Sequence, residues 1–302
     1  MRNSRRCTLV DNLVTNLAFE IHTETNALLG ESPVWCAEQS CLWWIDIEGR
    51  QIHRTSDISG ETLSWTTPEM PGFVVLTDSN LPAVGMESGI FLFFEGGGTF
   101  EKIVPLDVKG VRFNDATVDS TGRLWAGTID IKTTLAIAEL YTIGSDRQIN
   151  PVVSDLFYTN GLAVDPDRNR LYLSDSHPDV QTIWRYSCDS TTGRLADRTI
   201  FVNMSEMKGR PDGAAIDAYG NYWIAAVGGG VLHVFSPNGD HLREFKTPCD
   251  APTKLIFAGP NLDRLYLTSK GDAGWSGAVV VGRASSGAAI CGRKQAVWRI
   301  NK

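Results

Sequence analysis

Apolar and polar residues alternate with period two along most of the chain, and no stretch longer than about ten residues keeps a helical period. This pattern predicts β-strands. A short apolar strand repeatedly runs into a turn rich in Asp, Gly and Asn and then into a second strand, which bears an aromatic residue in most copies. The unit recurs at 32–47, 116–128, 162–176, 214–226 and 255–269, with a weaker copy at 73–86.

The spacing of these units identifies the architecture. One residue of each second strand serves as a marker, and successive markers lie 40 to 51 residues apart, a repeat length typical of propeller blades. Between markers there is room for two further strands, as at 182–186 and 230–235. We therefore predict an all-β, six-bladed β-propeller with four-stranded blades. The markers are Trp44, Val84, Trp125, Tyr172, Trp223 and Tyr266.

No shift in composition marks a domain boundary, so residues 1–302 are predicted to form one propeller domain, with 1–14 as a candidate disordered extension. A strand at 17–22 is expected to complete the last blade, because ring closure removes an exposed sheet edge. The segment 284–293 is rich in Gly, Ala and Ser and leaves the register of the closing strands open.

The repeat also places chemistry at the propeller axis. Residues at equivalent positions in the innermost strands face one central channel, because the blades are related by rotation about that axis. Counting back 11 to 13 residues from each marker reaches the start of each first strand, and four of the six residues found there carry a hard oxygen donor. The six are Glu31, Gly72, Asn114, Asn160, Asp212 and Thr253.

Two converging carboxylates repel each other and lose solvation, so a cation is their natural partner. Oxygen donors select a hard divalent ion such as Ca²⁺, Mg²⁺ or Mn²⁺. Taken singly, Asn160-Gly161 and Pro211-Asp212-Gly213 are common turn sequences, and Glu31 could be a solvated side chain. Oxygen donors recur at the same position in four blades, and chance turn sequences do not predict that recurrence. It favours a metal site. The histidines show no metal-ligand spacing, although His177 follows a marker strand and is a candidate to face the same end.

Charge and composition exclude several partners. The net charge is −7 and no run of Lys or Arg exceeds a pair, so nucleic acid and anionic membranes are poor partners. The first 20 residues lack the apolar stretch of a signal peptide, which leads us to expect a cytoplasmic protein. The six cysteines form no CxxC pair and are expected to be buried free thiols.

At these same residues the sequence resembles the senescence marker protein, gluconolactonase and luciferin-regenerating enzyme family. The resemblance implies a six-bladed propeller, a divalent metal held by Glu31, Asn160 and Asp212, and hydrolysis of a sugar lactone as the usual activity. Ca²⁺ is the first candidate, with Mg²⁺, Mn²⁺, Zn²⁺ and Fe²⁺ as others. The matching segments are Gly30-Glu-Ser-Pro-Val-Trp35, Arg112-Phe-Asn-Asp115, Asp119-Ser-Thr-Gly-Arg-Leu-Trp-Ala-Gly-Thr128, Asn160-Gly-Leu162, Ser174-Asp-Ser176, Arg210-Pro-Asp-Gly213 and Leu265-Tyr-Leu-Thr-Ser269.

The resemblance also assigns roles around the site. Arg112 and Asn114 are expected to hold substrate oxygens, with Asn114 a further candidate to reach the metal through water. Our mechanistic hypothesis makes Asp212 both a ligand and the base that takes a proton from the attacking water. Lys132 stands where the animal members carry a substrate-contacting Glu, so it either favours an anionic substrate or is a solvated loop lysine. His177-Pro178 is similar to the bacterial branch, and His177 is a candidate substrate contact.

The expected partner is therefore a small sugar lactone, and the expected assembly is a monomer or weak homodimer. Two other classes of function stay open from the sequence. One is a non-catalytic calcium-binding or regulatory propeller, in which the ion only stabilises the ring. The other is an esterase of the paraoxonase or strictosidine-synthase type, whose sites normally rely on a catalytic His or Glu placed differently.

Overall fold

The computed structural model describes residues 16–271, 277–284 and 290–300. In these residues 24 β-strands form six four-stranded sheets, each built from strands that are antiparallel to their neighbours. A single turn of 3-10 helix, Glu95–Gly97, lies between the third and fourth strands of blade two. The predicted six-bladed β-propeller is confirmed. In the part of the chain that the structure covers, no helix is long and apolar enough to cross a membrane.

The blades follow the chain in order, and the first strand of each is the innermost. Blades one to three comprise β2 (Gly30–Cys36), β3 (Cys41–Asp46), β4 (Gln51–Ser56) and β5 (Thr62–Thr66); β6 (Phe73–Leu76), β7 (Pro82–Gly85), β8 (Gly89–Phe94) and β9 (Thr99–Pro105); and β10 (Val111–Val118), β11 (Leu124–Asp130), β12 (Ala138–Ile143) and β13 (Ile149–Leu156). Blades four to six comprise β14 (Thr159–Asp165), β15 (Arg170–Asp175), β16 (Thr182–Cys188) and β17 (Leu195–Asn203); β18 (Arg210–Ile216), β19 (Tyr222–Val227), β20 (Val231–Phe235) and β21 (His241–Lys246); and β22 (Pro252–Ala258), β23 (Arg264–Ser269), β24 (Ala278–Ala284) and β1 (Leu17–Glu24).

Every sequence marker lies on the second strand of its blade, and the turn before it explains the repeat. The carboxylate of Asp119 accepts hydrogen bonds from the backbone N–H of Thr121 (2.9 Å) and from the indole N–H of Trp125 (3.0 Å). Asp217 holds its own turn in the same way and accepts the indole N–H of Trp223 at 3.0 Å. The turn aspartate and the buried aromatic residue thus satisfy each other, which stabilises the hairpin.

The ring is closed by the N-terminal strand, as expected. Strand β1 pairs antiparallel with β24, from Leu17 opposite Ala284 to Glu24 opposite Ala278. The predicted extension at 1–14 lies outside the described residues. Strand β24 spans Ala278–Ala284, and within 290–300 the chain makes bridges to other blades: Gly292 pairs with Asp217, and Trp298 pairs with Thr77.

The core lies between neighbouring blades. Phe73 of blade two and Phe113 of blade three meet edge to face, 5.4 Å between ring centroids, in a cluster that also contains the fully buried Trp298. Such packing between faces of adjacent sheets fixes their relative position and thereby the geometry of the channel they surround. The described cysteines are free thiols, four of them buried and Cys291 half-buried.

Candidate metal and active site at the propeller axis

A β-bulge shapes the innermost strand of five blades just where the sequence places a residue at the axis. The pairing with the second strand shifts immediately after Glu31, around Asn114, after Asn160, around Asp212 and around Thr253. A bulge inserts an extra residue and re-aims the side chains beside it. Blade two, which carries Gly72 at this position, shows no register shift between its first two strands.

The bulges require left-handed backbone at two sites. Gly161 has φ +61°, and a Cβ there would lie 2.5 Å from the hydroxyl of Tyr222 and 2.7 Å from that of Ser174. Ser32, the residue after Glu31, has φ +51°, and its hydroxyl is bonded to the backbone of Val74 in the next blade. Asn160-Gly161 is therefore part of a bulged strand and not a hairpin turn.

The two remaining axis positions, Gly72 and Thr253, contribute to the packing between neighbouring blades. A Cβ on Gly72 would lie 1.9 Å from the carbonyl oxygen of Phe113, so blade two approaches blade three too closely for any side chain. The hydroxyl of Thr253 donates to the carbonyl oxygen of Gly30 at 2.5 Å and joins blade six to blade one. Neither residue offers a free oxygen donor to the channel.

A network of amides and hydroxyls joins blades three, four and five. The Nδ2 atom of Asn114 donates to Oδ1 of Asn160 at 3.1 Å and to the carbonyl oxygen of Thr159 at 3.0 Å. Asn160 in turn donates from Nδ2 to the Ser176 hydroxyl at 2.9 Å, and Ser176 donates to the carbonyl oxygen of Pro211. This chain of bonds ends at the residue before Asp212, and the Oδ1 atom of Asn160, which accepts one bond from Asn114, keeps a second lone pair.

The two predicted carboxylate ligands are buried, each about 9% exposed. Desolvation raises the pKa of Glu31 to about 7, against the opposing charges of Lys254 and Arg112. Desolvation also raises the pKa of Asp212 well above its usual value, and the negative charges of Glu31 and Asp115 raise it further. Glu31 and Asp212 therefore sense each other's charge in a site with little water, which is the electrostatic situation that a bound cation relieves.

Asp115 and Lys254 form a buried ion pair at the same level of the channel. The Lys254 ammonium donates to Oδ1 of Asp115 and to the carbonyl oxygen of Ala116. Both side chains are almost fully buried. The Asp115 carboxylate also accepts the backbone N–H groups of Ala116 and Leu162, at 2.8 Å each. All of its oxygens are thus engaged by the protein, which makes it a poor candidate ligand.

Arg112 is oriented by its own strand. One guanidinium nitrogen donates to Oδ1 of Asn114 at 2.9 Å and to the carbonyl oxygen of Phe113 at 2.8 Å. Burial lowers the pKa of Arg112 to about 10, while nearby glutamates, Glu31 first, oppose that shift. The side chain is still charged at neutral pH. Arg210, half-buried, is held by the carbonyl oxygen of Ser176 at 3.1 Å and adds a second guanidinium near Asp212.

His177 and Lys132 lie further out than the axis residues. The carboxylate of Asp175 accepts the N–H groups of Phe157, Tyr158 and His177, and the imidazole stacks on Phe157 with ring centroids 4.2 Å apart. Lys132 is exposed on the loop after β11, and the next carbonyl, that of residue 133, accepts the Tyr158 hydroxyl at 3.3 Å. Among the described residues Lys132 has no ion-pair partner, and its contact with substrate stays a prediction, as does that of His177.

The donor set suits a hard cation. Within 16–271, 277–284 and 290–300, no three His, Cys, Asp or Glu residues converge on one point. The predicted set comprises two carboxylates and one amide, Glu31, Asp212 and Asn160, so it does not need a third acidic residue. Oxygen ligands that include an amide carbonyl are typical of Ca²⁺, and a smaller ion keeps more water ligands in such a site.

Sequence reasoning missed four residues that shape this site: Asp115, Ser176, Arg210 and Lys254. Three of them lie in matching motifs without an assigned role. Lys254 carried a signal of its own, since it is the one charged residue in the buried strand β22. A buried lysine needs a partner, so this position predicts an ion pair with a buried carboxylate. In the structure that carboxylate is Asp115.

These features define a six-bladed propeller with a buried, acidic, oxygen-rich site at its axis. The chain belongs to the SMP-30/gluconolactonase/LRE-like family, whose model matches residues 29–271. It is 34% identical over 246 residues to a 6-deoxy-6-sulfogluconolactonase of Pseudomonas putida, covering 80% of this chain and 84% of the relative. It is 32% identical over 252 residues to the pentonolactonase XacC of Haloferax volcanii, covering 83% and 84%.

Solved structures agree with the fold. A regucalcin from Agrobacterium tumefaciens, described as a calcium-binding protein, superposes with a TM-score of 0.86 over 94% of this chain and 98% of its own, at 24% identity. At that identity the likeness is evidence for the fold alone.

Proposed function

We propose that the protein is a metal-dependent sugar lactonase that opens an aldonolactone to the aldonic acid. Family membership and two relatives named as sugar lactonases, each at least 32% identical over more than four fifths of their length, support lactone hydrolysis. The observation that carries the metal dependence is the burial of Glu31 and Asp212 within range of each other's charge, with the Asn160 amide linked through Ser176 to the residue before Asp212.

Glu31, Asn160 and Asp212 would hold one divalent cation through oxygen atoms, with Ca²⁺ the first candidate and Mg²⁺, Mn²⁺, Zn²⁺ and Fe²⁺ as others. When bound, such an ion supplies Lewis-acid polarisation of the lactone carbonyl and a lower pKa for a coordinated water. The Ser176 bridge supports this role for Asn160, because it occupies the amide nitrogen, while the amide oxygen accepts only the Asn114 amide and keeps one lone pair for the cation.

Asp212 would act as the general base. Its carboxylate is buried at the start of the innermost strand of blade five, facing the same channel as the residues proposed to hold the sugar. The carboxylate takes a proton from the attacking water as the new C–O bond forms, and the ring C–O bond then breaks. The proton passes to the ring oxygen, which becomes a hydroxyl, so that the net change is the addition of one water. Arg112 and Asn114 would hold the sugar oxygens during these steps.

Lys132 supports a preference for lactones with an anionic group. It is exposed on a loop that contacts Tyr158, and Tyr158 packs against His177, the other candidate substrate contact. The relative from Pseudomonas putida is named for a lactone that bears a sulfo group. The partner would be a small sugar lactone, with no role for nucleic acid or membrane, and the protein would act in the cytoplasm as a monomer or weak homodimer.

A non-catalytic calcium-binding propeller is the second candidate, because the same buried oxygen donors could hold an ion that only stabilises the ring. Acid release from glucono-, galactono- and pentonolactones in a pH-indicator assay separates the two. After chelation, activity should disappear and return on addition of a divalent ion. Aryl esters in the same assay test the esterase alternative.

Asp212→Ala tests the role of the axis carboxylate. We expect it to lose both metal binding and turnover, whereas Asp263→Ala, which removes an exposed carboxylate on the hairpin between β22 and β23, should lose neither. Full activity of Asp212→Ala, or of the wild type after exhaustive chelation, would exclude this mechanism.

A further inference from the structure

Lys254 lies across the channel at the level of the site. It enters from strand β22 of blade six, where all seven residues are buried, and its ammonium reaches Asp115 and the carbonyl oxygen of Ala116 on blade three. The side chain therefore spans the axis. A buried lysine is rare in proteins unless it is paired, so its position calls for an explanation beyond packing.

The stem of Lys254 packs directly against the backbone beside a proposed ligand. A Cβ on Gly213, the residue after Asp212, would lie 2.3 Å from Cγ and 2.4 Å from Cβ of Lys254. Lys254 also lines a cavity of about 170 Å³ in the channel, together with Val75 and Ala163 among others. Lys254 thus contacts both the strand that bears Asp212 and this cavity.

The Asp115 carboxylate is surrounded by hydrogen-bond donors of the protein. It accepts two backbone N–H groups, from Ala116 and Leu162, in addition to the Lys254 ammonium. The buried part of the site contains three acidic groups, Glu31, Asp115 and Asp212, and Lys254 forms an ion pair with one of them.

We propose that Lys254 sets the charge of the site: it neutralises Asp115 and keeps that carboxylate away from the cation, so that two carboxylates face one divalent ion. This inference rests on the proposed metal site. A cation with two carboxylates and one amide keeps positions open for water and substrate, whereas a third carboxylate would bind the ion more tightly and fill one of them. Lys254 is a positioning residue, because it acts through Asp115 and the field at the axis.

The test compares the affinity for Ca²⁺ and Mn²⁺ of chelator-treated protein, by isothermal titration calorimetry, among charge variants of the pair. Lys254→Met removes the positive charge and keeps a similar volume. Asp115→Asn removes the negative charge, and the double variant Lys254→Met/Asp115→Asn restores the balance. Lys208→Met is the matched control, since that lysine pairs with Glu244 at the exposed surface.

We expect the affinity for the divalent ion to increase as the net charge of the site becomes more negative. Interactions between buried charges a few ångström apart are strong, so Lys254→Met should bind the ion about tenfold more tightly and Asp115→Asn about tenfold more weakly than wild type. The double variant should return to within about threefold of wild type on the same reasoning. Lys208→Met should be unchanged.

A purely structural role predicts the opposite for Lys254→Met, because disruption of the channel weakens binding in all three variants together. That result would overturn the inference while leaving the metal site intact. If the wild type binds no divalent ion, the metal site and this inference fall together. If Lys254→Met does not fold, the double variant decides: affinity as low as that of Asp115→Asn alone contradicts the charge model, and recovery supports it.

Discussion

Glu31 should destabilise the metal-free protein in a pH-dependent way. Its pKa is raised from 4.5 to about 7 in the folded chain, chiefly by desolvation. A carboxyl group with a raised pKa binds its proton more tightly in the folded state than in the unfolded state. Its destabilising effect is therefore absent below about pH 4.5, grows between about pH 4.5 and 7, and is complete above about pH 7.

The magnitude follows from the same shift. Each tenfold change in proton affinity corresponds to about 1.4 kcal/mol, so full ionisation of Glu31 should reduce the free energy of unfolding by up to about 3 kcal/mol. Glu31→Gln removes this effect, and its amide oxygen can still accept the hydrogen bond that the N–H of Ser32 gives to Glu31, 2.6 Å long. In excess chelator at pH 8 we expect the variant to melt several degrees higher than wild type.

The assay is thermal unfolding followed by circular dichroism at pH 5 and pH 8, with and without chelator. The gain of Glu31→Gln over wild type should be larger at pH 8 than at pH 5, and it should reverse when saturating Ca²⁺ is present, because only wild type gains stability from the ion. Glu61→Gln, at an exposed position, is the control and should show neither effect. A lower melting temperature of Glu31→Gln at pH 8 in chelator, or a gain that is equal at both pH values, would refute the reasoning.

Three further predictions concern the bulge at Gly161, the exposed loop that carries Lys132, and the hairpin that contains Trp125. Gly161→Ala should destabilise the protein by about 2 kcal/mol or more and reduce metal affinity, because φ is +61° and the new methyl group meets the hydroxyls of two neighbouring side chains; calorimetry and ion titration measure both. Lys132→Met should raise KM for a sulfonated or phosphorylated aldonolactone and leave KM for gluconolactone unchanged; equal effects on both substrates would contradict the proposed contact. Trp125→Phe should cost about 1 kcal/mol or more in urea unfolding, since it leaves one oxygen of Asp119 without its indole donor; no loss would show that the turn does not depend on that bond.

The propeller could be predicted because its signal is repeated and local. The same hairpin recurs in each blade, and in blades three and five a turn aspartate bonds the buried tryptophan of the next strand, as with Asp119 and Trp125. Because six weak patterns recur at one spacing, they reinforce one another. The closing strand β1 followed from the same logic, because a ring needs a partner for its last sheet edge. The course of the chain at 290–300 could not be predicted, since it depends on single bridges to distant blades.

The axis position of the candidate site residues could also be predicted from the repeat, because their phase within each blade is fixed. Their local backbone conformation could not be predicted from the sequence. Asn160-Gly161 has the composition of a hairpin turn, and only the pairing of β14 with β15 shows a bulge there. The contacts of Lys254 were equally out of reach, because its partner Asp115 is 139 residues away along the chain.

The central claim is that one cation is held at the axis by Glu31, Asn160 and Asp212. Crystals of the chelator-treated protein soaked in Mn²⁺, with anomalous diffraction data, test it most directly. We expect a strong peak at the axis about 2.1 to 2.6 Å from an oxygen of each of the three side chains, and its loss in Asp212→Ala. No peak at the axis, or a peak bound by other residues, would contradict it.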